Sequence, residues 1–343
     1  MKMLKTLLLG VFGLIAALAV IGLALPRGVH IERQTTIAAK PATVFAYLNG
    51  WKNFNQWSPW ASLDPQTQYR YEGPLMGVGA KQSWSSEQKN VGHGSQEITA
   101  VEPDKSITIK LMLPDMAPSV VTQTLTPEGE GTRIVWAMDA DMGLNPLNRW
   151  FGLLLEKFIG PDYEKGLAHM KPLIEDLPKD DLAGSGVSLV STIAVPLLVV
   201  SDAGSAAGDG AEVAGKLGAA YQKISAWMQA NGYQTAGAPI AINRKFDEQT
   251  KFWEFDAGIP VDKVGAAPGP ETGIKAISGY AGSALKITHI GAYSTMESSY
   301  AKLAAYKAIA GLDDNGNAWE HYLDDPTTKP AAEVKTDIYW PVK

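Results

Sequence analysis

The chain has 343 residues, of which 45% are hydrophobic and 19% are charged, and it contains no cysteine. This length is about twice that of a typical single core, so two domains are expected, and the composition excludes a long disordered or coiled-coil protein. The lack of cysteine excludes disulfides, thiolate metal sites and a cysteine nucleophile. Residues 1–180 carry 17 Lys and Arg against 18 Asp and Glu, and residues 181–343 carry 13 against 18. Because neither half has the basic excess that binding to a phosphate backbone requires, no nucleic-acid partner is expected.

The amino-terminal segment predicts contact with a membrane. Residues 6–25 contain no charged side chain, and a helix of this length crosses a hydrocarbon core of roughly 30 Å. Lys2 and Lys5 precede the segment, which favours leaving the short end in the cytoplasm. A cleaved signal peptide is the alternative, because Ala17-Leu18-Ala19 is a small-x-small site. Residues 1–27 are therefore predicted to be an anchor or a signal segment. An uncleaved single-pass anchor in a bacterial inner membrane is preferred, with the soluble domains outside the cytoplasm.

Alternating apolar residues predict antiparallel strands after residue 28. In residues 106–113, for example, Ile107, Ile109 and Leu111 share one face of a half-buried strand. Other strands are predicted at 29–37, 68–71, 81–85, 95–101, 120–125 and around 134–138. Residues 148–177 are predicted to cover the apolar face of this sheet with a buried core helix, broken or kinked at Gly160-Pro161.

The first half resembles a known superfamily. Residues 29–60, which end in the motif WSPW, and residues 77–84, 91–111 and 164–177 are similar to polyketide cyclase and START-like (SRPBCC) proteins. The resemblance implies a helix-grip domain with a hydrophobic cavity over residues 28–178, but it does not imply one reaction. The tryptophans near the first helix either line the cavity mouth or complete the core. The candidate cavity residues are Trp57, Trp60, Trp136, Phe151 and Leu155.

A small Gly-containing linker at 179–186 precedes a duplicated segment, residues 187–343. Residues 220–233 align with 299–312 at an offset of 79, and residues 255–261 align with 336–342 at an offset of 81. Each copy has the pattern strand, helix, strand, strand, which predicts a pseudo-symmetric pair of modules with a groove at their seam. Tyr221 and Tyr300, which the repeat matches, are predicted to pack the helices on the sheet rather than to contact a ligand.

The second half resembles the GyrI-like effector-binding family. The similar segments are residues 237–248, 252–261, 284–306, 318–326 and 334–342. The resemblance implies a groove that binds organic, often cationic, small molecules, in which a strand Glu counters the charge among aromatic rings. Glu320 is the matching position. The family's regulators carry a DNA-binding helix-turn-helix, whereas this chain carries a helix-grip domain, so direct control of transcription is not expected.

The residues themselves support a site at Glu320. In a strand over residues 318–323, Glu320 and Tyr322 point to one face and Trp319 and His321 to the other. A carboxylate among aromatic rings is costly to bury, and a cation supplies both the opposite charge and a partner for the ring faces. The alternative is a Glu that pairs with a Lys at the sheet surface. The other candidate wall residues are Tyr293, preferred because it follows Gly291-Ala292 at a strand end, and Trp253, Phe255, Tyr280, Tyr339 and Trp340.

Three classes of function stay open for this α+β chain. The leading hypothesis is a membrane-anchored protein that captures or senses hydrophobic or cationic organic compounds in the cell envelope. The first alternative, which the resemblance allows, is a hydrolase that uses Glu320 and Tyr322 as base and acid. The second is a non-catalytic structural or interaction module. No metal site and no cofactor are predicted, because the five His residues are scattered.

Overall fold

The computed structural model describes residues 2–343 apart from residues 115, 178, 180, 181, 209, 264, 266 and 267. The chain divides into two compact units, Met1–Ala183 and Gly184–Lys343. Each unit has one antiparallel sheet with helices, so the predicted α+β class is confirmed. Residues 180 and 181 of the predicted linker lie outside the described residues.

The described residues of the first unit form seven strands and four helices. The helices are α1 (Lys2–Ala24), α2 (Pro41–Leu48), α3 (Phe54–Trp57) and α4 (Pro146–Glu175). The strands are β1 (Gly28–Ile37), β2 (Gln68–Glu72), β3 (Lys81–Ser85), β4 (His93–Glu102), β5 (Ser106–Met112), β6 (Ser119–Glu128) and β7 (Gly131–Asp141). They form one sheet in the order β1-β7-β6-β5-β4-β3-β2.

The core of the first unit lies between this sheet and α4. Ile107 and Ile109 of β5 are buried on one face of their strand, as the alternation predicts. Trp136 of β7 is also buried, and it stacks on Tyr163 of α4 with ring centroids 3.7 Å apart. Gly166 permits this close approach, because a Cβ there would lie 2.8 Å from the Trp136 ring.

The structure corrects two predictions for α4. Of the break or kink predicted at Gly160-Pro161, the break is absent, because the helix runs for 30 residues through Pro161. A proline inside a helix costs about 3 kcal/mol, which burial of Leu155, Tyr163 and other side chains on both sides of Pro161 offsets. The first part of α4 is also not buried all round. Only the face that carries Gly152 and Leu155 is buried, and Phe151 on another face is 46% exposed.

In the second unit, the residues that the structure describes form eight strands and two longer helices. The strands are β8 (Ser188–Thr192), β9 (Pro196–Ser205), β10 (Ile240–Asp247), β11 (Phe252–Pro260), β12 (Lys275–Ser278), β13 (Gly282–Ile290), β14 (Trp319–Tyr322) and β15 (Lys335–Pro341). The helices are α5 (Ala211–Asn231) and α6 (Glu297–Ile309), with 3₁₀ turns at Pro270–Thr272, Tyr293–Thr295 and Ala331–Glu333. The strand order is β12-β9-β11-β10-β14-β15-β13-β8.

This strand order follows the sequence repeat. The segment β9-α5-β10-β11 corresponds to β13-α6-β14-β15, and the corresponding strands lie at equal distances from the central β10–β14 pair. Two isolated bridges repeat in the same way: Thr235 pairs with Val261, and Asp314 pairs with Val342. The seam between the copies is therefore the pairing of β10 with β14.

Helix α1 includes the apolar segment Leu4–Ala24, which has 21 residues. Its length and composition suit a membrane span or a signal sequence. Most of its large side chains are exposed, including Leu9 at 72% and Phe12 at 71%.

Candidate functional site

The carboxylate of Glu320 lies at the seam of the second unit. Glu320 is on β14, where it pairs with Ala241 of β10 and with Ile338 of β15. The residue is only 5% exposed. Two phenols hold its oxygens: Tyr322 donates a hydrogen bond to Oε2 at 2.6 Å and Tyr300 donates one to Oε1 at 2.9 Å. Each carboxylate oxygen therefore has one hydroxyl donor.

Two further tyrosines complete what we call the carboxylate–tyrosine cluster, Glu320 with Tyr221, Tyr293, Tyr300 and Tyr322. The Tyr322 ring lies 5.4 Å from that of Tyr293 and 6.5 Å from that of Tyr221. The Tyr221 hydroxyl donates to the Ile240 carbonyl oxygen at 2.8 Å. Tyr293 is 37% exposed, which makes it the most exposed member of the cluster.

The repeat explains how two of these tyrosines meet. Tyr221 on α5 and Tyr300 on α6 occupy matched positions of the two copies, and the pseudo-symmetric arrangement brings both near Glu320. Both tyrosines were predicted to pack the helices on the sheet, so their place in the cluster was not predicted. The sequence did carry a signal for it, because the repeat alignment matches the two residues and predicts a groove at the seam between the copies.

Burial sets the protonation of the cluster. It raises the pKa of Glu320 above its usual 4.5, and the hydrogen bonds from Tyr322 and Tyr300 oppose that rise. Burial, with a further contribution from the Glu320 charge, raises the pKa of Tyr300 and Tyr322 well above 10. The same two causes raise the pKa of Tyr293 to about 12. The tyrosines are therefore neutral hydrogen-bond donors at physiological pH.

Within the part of the chain that the structure describes, Glu320 forms no ion pair. The surface pairing with a Lys that the sequence left open does not form there, because the carboxylate is buried between the sheet and the helices. The charge of the ionised carboxylate is thus balanced only by hydroxyl dipoles. Such a site favours an added positive charge.

Three predicted wall residues lie on the same face of the sheet as Glu320. Trp253 and Phe255 of β11 are buried with ring centroids 4.9 Å apart, in a core cluster against which Tyr221 and Tyr322 pack. Trp340 lies 6.2 Å from the Tyr300 ring, and its Nε1 donates to Asp314 at 2.7 Å. Trp253 and Phe255 therefore pack against Tyr221 and Tyr322 of the cluster, and Trp340 lies next to Tyr300.

The structure places Tyr280 and Tyr339 on the opposite face. Tyr339 pairs with Trp319, the neighbour of Glu320, and successive strand residues point to opposite faces. The Trp319 and Tyr339 rings stack at 4.9 Å, and Tyr280 lies 5.7 Å from Trp319. These two predicted wall residues are therefore not brought to Glu320.

The candidate cavity residues of the first unit mostly fill its interior. Trp57 and Trp136 meet edge to face at 5.1 Å, Trp60 lies 6.2 Å from Trp136, and Leu155 is buried on α4. Tyr163 covers the other side of the Trp136 ring. Phe151 differs, because its side chain is exposed on the outside of α4. Its prediction as a cavity residue is wrong, since the inward face of this helical turn is occupied by Gly152 and Leu155.

No group of three or more His, Asp or Glu side chains among the described residues is arranged to hold a metal ion. The cluster itself offers one carboxylate and four phenols. Its chemistry is that of a hydrogen-bonded negative charge beside aromatic rings.

Comparison with known proteins identifies both segments. Residues 28–175 match the family of polyketide cyclase / dehydrase and lipid transport proteins, and residues 217–343 match the GyrI-like small molecule binding domain. No curated protein matches the chain.

Similar solved structures include the C-terminal domain of EcmrR, with 18% identity over 46% of this chain and 96% of that one and a TM-score of 0.39. A hydrolase from Listeria innocua has 15% identity over 46% of this chain and 92% of that one, with a TM-score of 0.35. A third is EcmrR in its complex with DNA, with 16% identity over 57% and 72% of the two chains and a TM-score of 0.42.

The two family matches indicate small-molecule binding and confirm both resemblances predicted from the sequence. The chain is thus similar to polyketide cyclase / dehydrase and lipid transport proteins over residues 28–175 and to GyrI-like small molecule binding domains over residues 217–343.

Proposed function

We propose that this chain binds a small organic cation at Glu320 while α1 holds it at a membrane. One observation carries the proposal: Glu320 is a buried carboxylate that is hydrogen-bonded by Tyr300 and Tyr322 but has no positive partner among the described residues. Removing a carboxylate from water costs several kcal/mol, which hydroxyl dipoles offset only in part. A bound cation supplies the missing charge.

The surrounding rings favour an organic cation. Tyr293 and Tyr322 present aromatic rings beside the carboxylate, and ring faces attract cations most strongly where water is excluded. A small hard metal ion prefers several charged oxygen ligands, whereas this cluster has one. The half-exposed Tyr293 marks the side from which a ligand enters. The match to the GyrI-like small molecule binding domain agrees with this chemistry.

The proposed place of action is the cell envelope. Helix α1 is long and apolar enough to span a bilayer, and Lys2 and Lys5 at its start favour a cytoplasmic amino terminus. With that orientation both units lie outside the cytoplasm. There the protein captures or senses amphipathic cations, and the first unit, which is similar to polyketide cyclase / dehydrase and lipid transport proteins, follows the anchor in the chain.

Turnover of the bound molecule is a second candidate, because one observation favours it. The raised pKa of Glu320 moves this carboxyl toward the range of a general base, and the Tyr322 hydroxyl 2.6 Å away is placed to return a proton. In that case Glu320 takes a proton from a water molecule whose oxygen attacks the electrophilic centre of the ligand. Tyr322 gives its proton to the leaving group as the bond to that group breaks, and the proton held by Glu320 then returns to the Tyr322 oxygen.

The test uses the full chain in detergent and a panel of lipophilic cations that includes tetraphenylphosphonium. Saturable binding at 100 times Kd adds about 2.7 kcal/mol to the free energy of unfolding, which thermal shift detects. Triphenylphosphine oxide, a neutral probe of similar shape, is expected to bind much more weakly. Equal binding of the neutral and charged probes, or no saturable binding by any cation, contradicts the proposal. Mass spectrometry of the incubated ligands distinguishes binding alone from hydrolysis.

A further inference from the structure

We propose that the first half of α4 carries a membrane-docking surface, through which the first unit rests on the lipid bilayer. The surface, called here the α4 apolar stripe, consists of Leu147, Phe151, Leu154 and Phe158. The inference rests on the proposed membrane anchoring by α1 and is independent of the ligand site at Glu320.

The stripe is exposed and lies on one side of the helix. Its side chains are spaced four, three and four residues apart, so they line one face of α4. Their exposed fractions are 74% for Leu147, 46% for Phe151, 47% for Leu154 and 55% for Phe158. Four large apolar side chains in a row are more than the scattered exposure of an ordinary water-facing helix, and such patches mark interaction surfaces.

The same face of α4 becomes polar farther along the helix. Lys165 follows Phe158 by seven residues and is exposed, and His169 lies one further turn away and is also exposed. The apolar character is therefore confined to the end of α4 at which the helix meets α1. If the exposed apolar side chains had no relation to α1, they would not be expected to stop at the middle of α4.

Direct contacts join this end of α4 to α1. The Trp150 Nε1 donates to the carbonyl oxygen of Leu18 at 3.0 Å. Arg149 is 9% exposed and donates to the carbonyl oxygens of Leu23 and Leu25, the latter at 3.2 Å. These oxygens lie at the carboxyl end of α1, where a cation is favourable for the helix dipole.

Close packing fixes the same junction. Gly22 of α1 is buried, and a Cβ there would lie 2.7 Å from the Cβ of Pro146 at the start of α4. The two helices therefore touch along the last turns of α1. The position of the α4 apolar stripe is set by the position of α1.

The depth at which Trp150 contacts α1 within the membrane span indicates that lipid covers the α4 apolar stripe. Leu18 precedes the end of α1 by six residues, or about 9 Å along a helix. When Leu4–Ala24 spans the bilayer, the Trp150 ring that contacts Leu18 must lie at or below the membrane boundary, where Trp is typically enriched. The contacts of Pro146 with Gly22 and of Trp150 with Leu18 run in opposite directions along the two helices. Phe151 and Leu154, which follow Trp150, are therefore placed no nearer to the membrane boundary than Leu18, where the stripe contacts acyl chains.

The test uses the absence of cysteine from the chain. Single-cysteine variants of the full chain carry an environment-sensitive fluorophore at Phe12→Cys, Phe151→Cys, Leu154→Cys or Lys165→Cys. They are reconstituted into vesicles of phosphatidylcholine and phosphatidylglycerol, with or without brominated acyl chains, which quench a fluorophore in contact with lipid. The label at Phe12→Cys measures the contact of α1 with lipid. Lys165→Cys is the matched control, because it lies on the polar part of the same face of α4.

We expect brominated lipid to quench the labels at residues 151 and 154 to an extent comparable with the label at residue 12, and to leave the label at residue 165 bright. Quenching at residue 12 alone overturns the docking surface and leaves the anchor intact. No quenching at any position overturns both. A blue-shifted label at residue 151 without bromine quenching shows that protein, such as a second copy, covers the stripe, and this also overturns the inference. Unchanged thermal unfolding of each labelled variant verifies its fold, and the two stripe positions provide independent measurements.

Discussion

Replacing Glu320 by Gln separates the charge of the carboxylate from its shape. The Gln side chain has nearly the same volume, and its amide still offers one acceptor for Tyr300 or Tyr322. The substitution therefore keeps the packing of the seam while it removes the negative charge. Because burial raises the pKa of Glu320, loss of the charge is expected to leave the free protein at least as stable as the wild type at neutral pH.

The expected loss of affinity follows from the burial of the site. Glu320 is 5% exposed, so an ion pair formed there is shielded from water. Removing one partner of a buried, hydrogen-bonded charge pair costs about 2–5 kcal/mol. At 1.4 kcal/mol for each factor of ten, this is a rise in Kd of roughly 30- to 4,000-fold. The aromatic contacts of the ligand persist in the variant.

Isothermal titration calorimetry with tetraphenylphosphonium measures this difference. Glu297→Gln is the matched control, because Glu297 on α6 has a side chain that is 83% exposed. This control is expected to keep the wild-type Kd. Triphenylphosphine oxide is expected to bind the wild type and Glu320→Gln equally. A change in Kd of less than about threefold for the cation on Glu320→Gln, well under one factor of ten, refutes the role assigned to the carboxylate.

Three other predictions follow from the same structure. Cation affinity rises as the pH rises through the elevated pKa of Glu320. The free protein loses stability over the same interval above 4.5, because the folded state holds the proton of Glu320 more tightly than the unfolded state does. Calorimetry against pH measures the affinity and thermal unfolding against pH measures the stability, and Glu320→Gln is expected to abolish both pH dependences. Tyr322→Phe removes a donor and raises the pKa of Glu320 further, which shifts the pH midpoint of cation binding upward, whereas Tyr280→Phe on the opposite face leaves it unchanged. Met170 lies on the buried face of α4 and is 0% exposed. Met170→Ala is therefore expected to lower the free energy of unfolding by about 2–5 kcal/mol in denaturant titrations. A loss below about 1 kcal/mol, less than that range, contradicts the packing described.

Local patterns predicted most of the fold. The period-2 alternation at Ile107 and Ile109 identified β5, because a strand with one buried face must alternate. The errors concern α4, where the sequence does not show which face of an apolar helix meets the sheet. Pro161 was predicted to break or kink this helix, but the helix continues through it, because long-range packing of Leu155 and Tyr163 outweighs the local penalty of proline.

The site was predictable in part. The strand position of Glu320 placed Tyr322 beside it, because residues two apart share a face. Tyr221 and Tyr300 were missed, since they are distant in the sequence and only the pairing of β10 with β14 brings them together. Tyr339 was predicted as one of the aromatic wall residues, yet its register with Trp319 places it on the other face.

The most direct measurement is a crystal structure of the chain with tetraphenylphosphonium bound. We expect the phosphonium to lie beside the Glu320 carboxylate, with its phenyl groups against the rings of Tyr293 and Tyr322 and a ring centroid within about 6 Å of the charge. A cation bound on the opposite face beside Trp319 and Tyr339, with Glu320 still enclosed by its two phenols, would contradict the proposed site.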